Sequence, residues 1–562
     1  MSAAPEREVD LLVAGAGAAG MTAALVAAHE GLRVALCEKS GQVGGTSATS
    51  AGTLWIPGNT QSRRAGFDDS ADKARTYLDA LLEGPEPRAL RAAFLASAPE
   101  AIDYLEANTE VRFVPTGRHP DYRELPGAAI AGRGLIPVPF DGRLLGADFA
   151  RVRPPIDEFM LLGGMMITKA DIGPLLGRFR SFANFAYASR LLLRYAADRV
   201  RYPRGTRLTM GNALVARLYY SLRQRTVPVL FDAALAELLR ENGRVAAARV
   251  RQGGATTLFR VRKGVVLATG GFGQNRELRA RFMPQPVPEH SMAHADNTGD
   301  GLSLASSLGA QIRQQRGAGL WTPASVTRRR DGSRGLYPHF LYDRAKPGLI
   351  AVNQAGRRFV NEGCSYHDFV EAMYASHRSV PTIPAYLICE ASFVAAYGLG
   401  AIHPGTRDLS AHVASGYVIQ ADSMSELARR LQIDPAALQD TVARHNGFAA
   451  SGVDLDFGKG STELNRFNGD ESLPGNPCLR PILKPPFVAM AVWPADISVA
   501  TGLATDEHAR VLDGGGMPIA GLYACGNDMA SVFAGHYPGP GTTLGPAVTF
   551  GYRAALHARS AR

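Results

Sequence analysis

Residues 9 to 38 constrain the fold more than any other stretch of the chain, because they read as a strand, a glycine turn, a helix and a second strand in uninterrupted order. Val9 to Ala14 is a short apolar run with the character of a buried strand. Gly15, Gly17 and Gly20 follow with G-x-G-x-x-G spacing, and Leu32 to Cys37 is a second apolar run that ends at Glu38. The 18 positions from 11 to 28 carry no charge, and hydropathy alone would flag them as a membrane span. The glycines argue against that. The first permits a tight turn, the second lets backbone approach a pyrophosphate, and the third lets helix pack on strand, so that phosphates rest on the helix N-terminus. Glu38 lies where a carboxylate accepts hydrogen bonds from a ribose 2′-hydroxyl and disfavours a 2′-phosphate. The implied ligand is a dinucleotide of the FAD or NAD kind.

A chain of 562 residues exceeds what one hydrophobic core supports, so at least two domains are expected. With 46% hydrophobic and 20% charged residues, it is neither disordered nor fibrous. Cys37, Cys364, Cys389, Cys478 and Cys525 are odd in number and scattered, without a C-x-x-C pair, which argues against a disulfide framework or a zinc site. No metal site is expected. The N-terminus lacks the basic region of a secretory signal, so a cytoplasmic location is expected.

Beyond Glu38, the run Gly44-Gly45-Thr46-Ser47 offers small and hydroxylated residues to an extended dinucleotide. Two distant stretches end in glycine after an apolar strand: Lys263 to Phe272, with Ala268-Thr269-Gly270, and Gly521 to Asn527, with Gly526-Asn527. Both resemble the closing elements of the FAD-binding fold of the fumarate reductase flavoprotein superfamily. The resemblance selects FAD over NAD and implies an α/β, Rossmann-like FAD-binding domain that is discontinuous in sequence. Its expected cofactor-holding set is Gly15, Gly17, Ala18, Ala19, Gly20, Glu38, Lys39, Gly44, Gly45, Thr46, Ser47, Ala268, Thr269, Gly270, Gly526, Asn527, Thr543 and Leu544. No histidine suited to covalent flavin attachment stands beside Gly44-Gly45, so non-covalent binding is expected. From Pro546 a last helix is predicted, with proline in its first turn. If its positive end faces the flavin pyrimidine, it favours the reduced, anionic flavin.

No Ser/His/Asp set, metal cluster or phosphate-transfer motif is evident, which leaves flavin redox chemistry. In His536-Tyr537-Pro538-Gly539-Pro540-Gly541-Thr542-Thr543, a phenol precedes glycines stiffened by two prolines. Such a loop is suited to aim an O–H and an N–H at one carbonyl oxygen, as an oxyanion hole does. Together with GGTSA from Gly44, GTLWIPG from Gly52, PDY from Pro120 and RFVNEGCSYHDF from Arg358, this loop resembles the 3-oxosteroid 1-dehydrogenases over nearly the whole chain. In that family a tyrosine after the Asn-Glu pair removes the proton from carbon 2 of the steroid, and Tyr366 matches it. A second tyrosine in the PDY-type motif assists, and Tyr122 matches. The Y-P-G-P-G tyrosine and its last glycine hold the carbon-3 carbonyl, matching Tyr537 and Gly541, while flavin N5 takes hydride from carbon 1.

Tyrosine is an unusual base, with a reference pKa of about 10 that burial pushes higher, so a partner must bring it down. A relay through Tyr122 and an alkaline activity optimum are expected.

The segment from about 155 to 205 departs from the family pattern and reads as an insertion. Between Lys169 and Arg204, eight cations face only Asp171 and Asp198, which accounts for six of the ten net positive charges. A helical projection from Ser181 to Arg201 puts Phe182, Phe185, Ala186, Leu192, Leu193, Ala196 and Val200 on one face, opposite Tyr187, Arg190, Arg194 and Arg201. Two readings stand: an interfacial helix on an anionic membrane, or a helix packed on the core with its basic face in water. Nucleic acid is not an expected partner, since no nucleic-acid module accompanies the patch.

The division expected is an FAD domain over 1–320 and 498–562, a capping catalytic domain over 321–497 and the segment 155–205 against a membrane. The expected reaction is FAD-dependent 1,2-dehydrogenation of a 3-oxo-4-ene steroid, with cholest-4-en-3-one among the substrates and a quinone or other unidentified electron acceptor. Alternatives are a 3-oxosteroid 4-ene (5α) dehydrogenase, a fumarate reductase-like enzyme, or a non-catalytic membrane-bound flavoprotein. Location is expected to be cytoplasmic, with peripheral attachment to the inner face of the cell membrane if the interfacial reading holds.

Overall fold

A computed structural model describes residues 5–82, 88–329, 331–340 and 343–561. The strand, turn, helix and strand foreseen at the N-terminus are β1 (Glu6–Ala14), α1 (Ala18–His29) and β2 (Val34–Cys37). The uncharged run is thereby divided: β1 lies inside a sheet, and α1 is buried from Ala18 through Ala27, between that sheet and the C-terminal helix. Among the described residues no helix is long and apolar enough to cross a membrane.

β1 pairs in parallel with β2 on one side and with β3 (Ala255–Leu267) on the other. β3 serves two partners. Its first half pairs with Arg244–Gln252 in an antiparallel meander, and its end, Val265 to Leu267, pairs in parallel with Pro518–Ala524. The sheet of eight strands thus draws on both ends of the chain, and the glycine turns after β1, β3 and Pro518–Ala524 open at one edge.

A second sheet, of seven strands, is largely antiparallel and built around the long β4 (Gly319–Arg328) and β5 (Phe487–Val499). It takes strands from 290 to 499, so its first pairing, His290 with Ala495, precedes the boundary expected near 320. Three short strands, Leu54–Trp55, Phe113–Pro115 and Gly134–Pro137, form a third wall.

The basic segment folds as α2 (Lys169–Leu176) and α3 (Phe182–Arg201). Its two anions are both buried and both act as fasteners. Asp171 accepts from the Thr168 N–H at 2.7 Å and from Arg207 at 2.9 Å, and also from the Tyr187 hydroxyl. Asp198 accepts from the Thr206 N–H at 2.8 Å and from Arg143 at 2.9 Å. Arg194 pairs with Asp141 at 3.0 Å. The side of α3 that carries Ala188 and Asp198 therefore faces the protein and its apolar side faces outward: Phe182 is 85% exposed, Leu193 70% and Val200 82%. The reading in which the apolar face packs on the core is overturned, because Phe182, Leu193 and Val200 stand exposed while Asp198, which fastens the helix, lies on the opposite side.

Candidate active site

Of the catalytic and cofactor-holding residues expected from the sequence, all but Gly20 line one cavity of about 910 Å³. Gly20 stands behind it, where a Cβ would lie 1.9 Å from the Gly15 carbonyl oxygen, which is the helix-on-strand contact the spacing implied.

At the dinucleotide end, α1 begins just after Gly17, and the Ala18 N–H donates to Ser47 Oγ at 3.2 Å. A Cβ on Gly17 would come no nearer than 3.7 Å to another residue, and one on Gly45 would meet nothing within 4 Å, so both point their bare faces into the cavity. Phosphates can approach backbone there. Glu38 at the end of β2 accepts from the Ala16 N–H at 2.8 Å and the Ser40 N–H at 2.9 Å, which fixes the carboxylate while leaving lone pairs for a ribose hydroxyl. Lys39 pairs with Asp300 at 2.8 Å, and Thr46 Oγ1 accepts from Asn297 at 3.0 Å.

Sequence reasoning passed over two parts of this end. One is the run His294 to Gly301, which supplies His294, Asp296, Asn297 and Asp300 to the wall, and its density of polar turn residues was the available signal. The other is Asp528. It is fully buried and accepts from Thr269 N–H at 2.5 Å and Gly271 N–H at 3.0 Å, tying the loop after β3 to Gly526-Asn527. Burial pushes its carboxyl up to about 6 despite those donors. A cavity edge built of bare glycines, a helix N-terminus and a fixed acidic residue suits a dinucleotide.

The other end is phenolic. Tyr366 is the first residue of α4 (Tyr366–His377), whose cap, Ser365, accepts from the Asp368 N–H at 3.0 Å. Tyr122 donates to the Tyr366 hydroxyl at 3.1 Å, and Tyr366 donates to Tyr537 at 2.9 Å. Tyr537 ends this chain as an acceptor, which leaves its own O–H for the cavity. The Tyr122 and Tyr537 rings stack with centroids 5.5 Å apart, and Tyr366 stands edge-on to both. All three are buried, and burial lifts the Tyr366 and Tyr537 phenols well above their ordinary pKa; Tyr122 adds to the shift at Tyr366, while its contact with Tyr537 and the charge of Arg344 oppose it.

Several segments hold the cluster. The Tyr122 N–H and the Tyr77 hydroxyl both donate to the Pro538 carbonyl, at 2.9 and 2.7 Å, which locks the PDY turn to the Y-P-G-P-G loop. Trp55 donates to Asp121 at 2.8 Å, and Arg133 bridges Asp121 and Asp69 at 2.5 and 3.0 Å. Gly541, at φ +96°, lies so close to the Leu54–Trp55 strand that a Cβ would sit 2.5 Å from the Thr53 carbonyl oxygen, and its N–H has no acceptor among the described residues. α5 (Leu544–Ser560) starts three residues after it, two residues before the expected Pro546, and Thr543, Leu544 and Ala547 at its N-terminus line the cavity.

A Ser/His/Asp chain that the sequence did not reveal does exist in space. Ser325 Oγ lies 2.8 Å from His339 Nε2, and His339 Nδ1 lies 2.5 Å from Asp343. Ser325 and His339 are buried and line no part of the cavity, so the chain fixes structure beside Phe340 and has no access to a substrate.

Residues 10–544 match the family described as FAD binding domain. A 3-oxosteroid 1-dehydrogenase of Mycolicibacterium smegmatis (strain ATCC 700084 / mc(2)155) is 36% identical, over 98% of this chain and 97% of its own length. A 4-oxocyclohex-2-ene-1-carboxylate 5-dehydrogenase of Sinomonas cyclohexanicum is 37% identical, over 97% of this chain and 92% of its own. The crystal structure of the 3-ketosteroid delta1-dehydrogenase of Sterolibacterium denitrificans, in complex with 1,4-androstadiene-3,17-dione, superposes with a TM-score of 0.91 at 36% identity, covering 99% of this chain and 100% of that one. That near-complete mutual coverage gives no sign that 155–205 is an insertion. With an α/β fold, a dinucleotide cradle and full-length relatives in agreement, the chain belongs to the FAD-binding family that contains the 3-oxosteroid 1-dehydrogenases, and its cofactor is FAD.

Proposed function

We propose that the protein oxidises the bond between carbons 1 and 2 of a 3-oxo-4-ene steroid, giving the 1,4-diene-3-one. The observation that carries this reading is the buried hydroxyl chain from Tyr122 through Tyr366 to Tyr537, in the same cavity as Gly541 and the dinucleotide cradle. In it, Tyr366 in its anionic form takes the proton from carbon 2, which the adjacent ketone acidifies. Tyr537 O–H and Gly541 N–H hold the carbon-3 oxygen and stabilise the charge that develops there. Tyr122 receives the proton from Tyr366 and passes it outward. FAD, when bound, supplies the hydride acceptor for the hydrogen leaving carbon 1. The burial of the cluster keeps water from competing for the proton and strengthens each hydrogen bond.

Gly15, Gly17, Glu38, Gly45, Thr46, Asn527 and the α5 N-terminus hold the cofactor in this reading, from residues 1–320 and 498–562, with 321–497 as the cap. A neutral steroid suits the cavity better than the carboxylate named for the Sinomonas relative. The arginines on its wall are already neutralised, Arg118 by Glu463 at 2.7 Å and Arg207 by Asp171 at 2.9 Å.

The partner of the α2–α3 surface in this reading is a membrane of anionic lipid. With Asp171 and Asp198 buried, Arg178, Arg180, Arg190, Arg199 and Arg201 stand on an exposed surface beside Phe179, Phe182, Leu193 and Val200. Each cation contributes about 1 kcal/mol at such a membrane. Thr168, Asp171 and Tyr187 of the same segment line the cavity, so a poorly soluble substrate has a route from lipid to the tyrosines.

The test is product identity. Androst-4-ene-3,17-dione incubated with the loaded enzyme and an artificial acceptor should yield a steroid two hydrogens lighter, with the absorbance of a cross-conjugated dienone. A new double bond elsewhere in the ring, or turnover of 4-oxocyclohex-2-ene-1-carboxylate alone, would overturn the reading.

A further inference from the structure

Arg344 is fully buried, and every acceptor of its guanidinium among the described residues is a backbone carbonyl. Nε donates to His339 at 3.0 Å, Nη1 to Glu362 at 2.8 Å, and Nη2 to Cys364 at 3.3 Å and to Phe340. These carbonyls bracket Tyr366: Cys364 precedes it by two residues, and the Phe340 ring packs edge-on against the Tyr366 ring at 5.1 Å. The guanidinium also lies over the Phe369 ring at 4.7 Å, one turn into α4.

The neighbouring carboxylates are already matched. Asp343, which accepts from the Arg344 backbone N–H, is paired with His339 at 2.5 Å. Glu362 is held by Arg358 at 2.8 Å and lies 3.6 Å from Lys459, and Asp454 balances Arg358. On α4, Asp368 pairs with Arg123 at 2.6 Å, while Glu371 lies between His367 at 3.6 Å and Arg316 at 3.7 Å. Among the described residues, the remaining titratable groups against Tyr366 are the phenols of Tyr122 and Tyr537 and the Cys364 thiol. Arg344 is thus a buried positive charge whose guanidinium hydrogen bonds, among the described residues, all go to carbonyl dipoles, and whose neighbouring carboxylate, Asp343, is shared with His339; a charge held in this way favours an anion forming nearby. The positive end of α4, at whose first residue Tyr366 stands, acts in the same direction.

We propose that Arg344 is a positioning residue whose fixed charge offsets part of the burial cost at the Tyr366 oxygen and so favours its anionic, proton-accepting form. The inference rests on the reading of Tyr366 as the base. Surrounding dipoles fix the charge, and its solvent exclusion makes it effective, since an opposite charge near a buried acid shifts its ionisation by about 1 to 3 pH units.

The experiment is the pH dependence of kcat for the FAD-loaded enzyme, with flavin content and far-UV circular dichroism as checks on folding. Arg344→Met should move the midpoint of the rising limb upward by about one unit or more, and Arg344→Lys should return most of that shift. Asp343→Asn removes the negative charge beside the arginine while keeping the arginine itself, so it should move the midpoint downward, and it decides the matter if Arg344→Met does not retain flavin. An Arg344→Met enzyme with reduced kcat and an unmoved midpoint would reduce Arg344 to a structural clamp. An Asp343→Asn midpoint that stays or rises would contradict the proposal outright. Failure of the underlying reading looks different: Tyr366→Phe would then turn over normally, whatever the arginine does.

Discussion

The tyrosine cluster and the α2–α3 surface invert the usual rule of burial in opposite senses. At the cluster, three hydroxyls are enclosed and satisfy one another; on α3, large apolar side chains stand in solvent while aspartates are buried beneath. A buried polar group and an exposed apolar patch are the informative departures from ordinary packing. The first is tolerable because every hydroxyl has a partner, which is also what a proton relay needs. The second leaves unburied apolar area, which is what a lipid surface accepts. One region is therefore expected to respond in rate and the other in partitioning, with little crossover.

Substitutions at the cluster should give the largest effects. Tyr537→Phe removes one of two donors to the developing oxyanion and should lower kcat by about 10² to 10³, measured in steady state with an artificial acceptor. On the outer surface, Phe179→Asp combined with Phe182→Asp should reduce partitioning onto anionic vesicles by roughly tenfold or more, since each fully buried large apolar side chain is worth about 1.5 to 3 kcal/mol. Cosedimentation measures it, and kcat on a dispersed small steroid should be unchanged. A fall in kcat equal to the loss of binding would break the separation between the two regions. Tyr122→Phe removes the outward relay while keeping Tyr366 and both donors to the carbonyl oxygen, and should cost on the order of tenfold in kcat.

The smallest effect is on stability. Burial raises the Tyr366 and Tyr537 phenols, so the folded chain keeps protons that the unfolded chain releases near the ordinary value of about 10. Stability from these groups is full below that pH and falls as pH climbs above it. Thermal unfolding between pH 8 and 11 should show this decline, with a shallower slope in Tyr537→Phe.

How much of this was legible in the sequence differs between the two ends of the cavity for a physical reason. The dinucleotide end is set by local geometry: glycine spacing dictates a turn, a turn dictates where a helix begins, and Glu38 closes the unit within one run of chain. The tyrosine end joins positions 122, 366 and 537, which no periodicity connects; the motif resemblance named them, but their order in the hydrogen-bond chain needed the fold. Asp528 and Arg344 were invisible because an isolated charged residue in a sequence reads as surface, and only burial reveals what it holds. On α3 the projection separated the apolar residues from the arginines, yet which side turns inward was set by Asp198 reaching Thr206 and Arg143 and by Tyr187 reaching Asp171, partners outside the helix.

In the proposed mechanism Tyr366 accepts the proton from the steroid ring. Its most direct test is anaerobic rapid mixing of androst-4-ene-3,17-dione with FAD-loaded wild-type and Tyr366→Phe protein, following the loss of flavin absorbance. Wild type should bleach within the mixing experiment, and the variant, with its flavin retained, should bleach at least about 10³-fold more slowly. Bleaching of Tyr366→Phe at the wild-type rate would contradict the account.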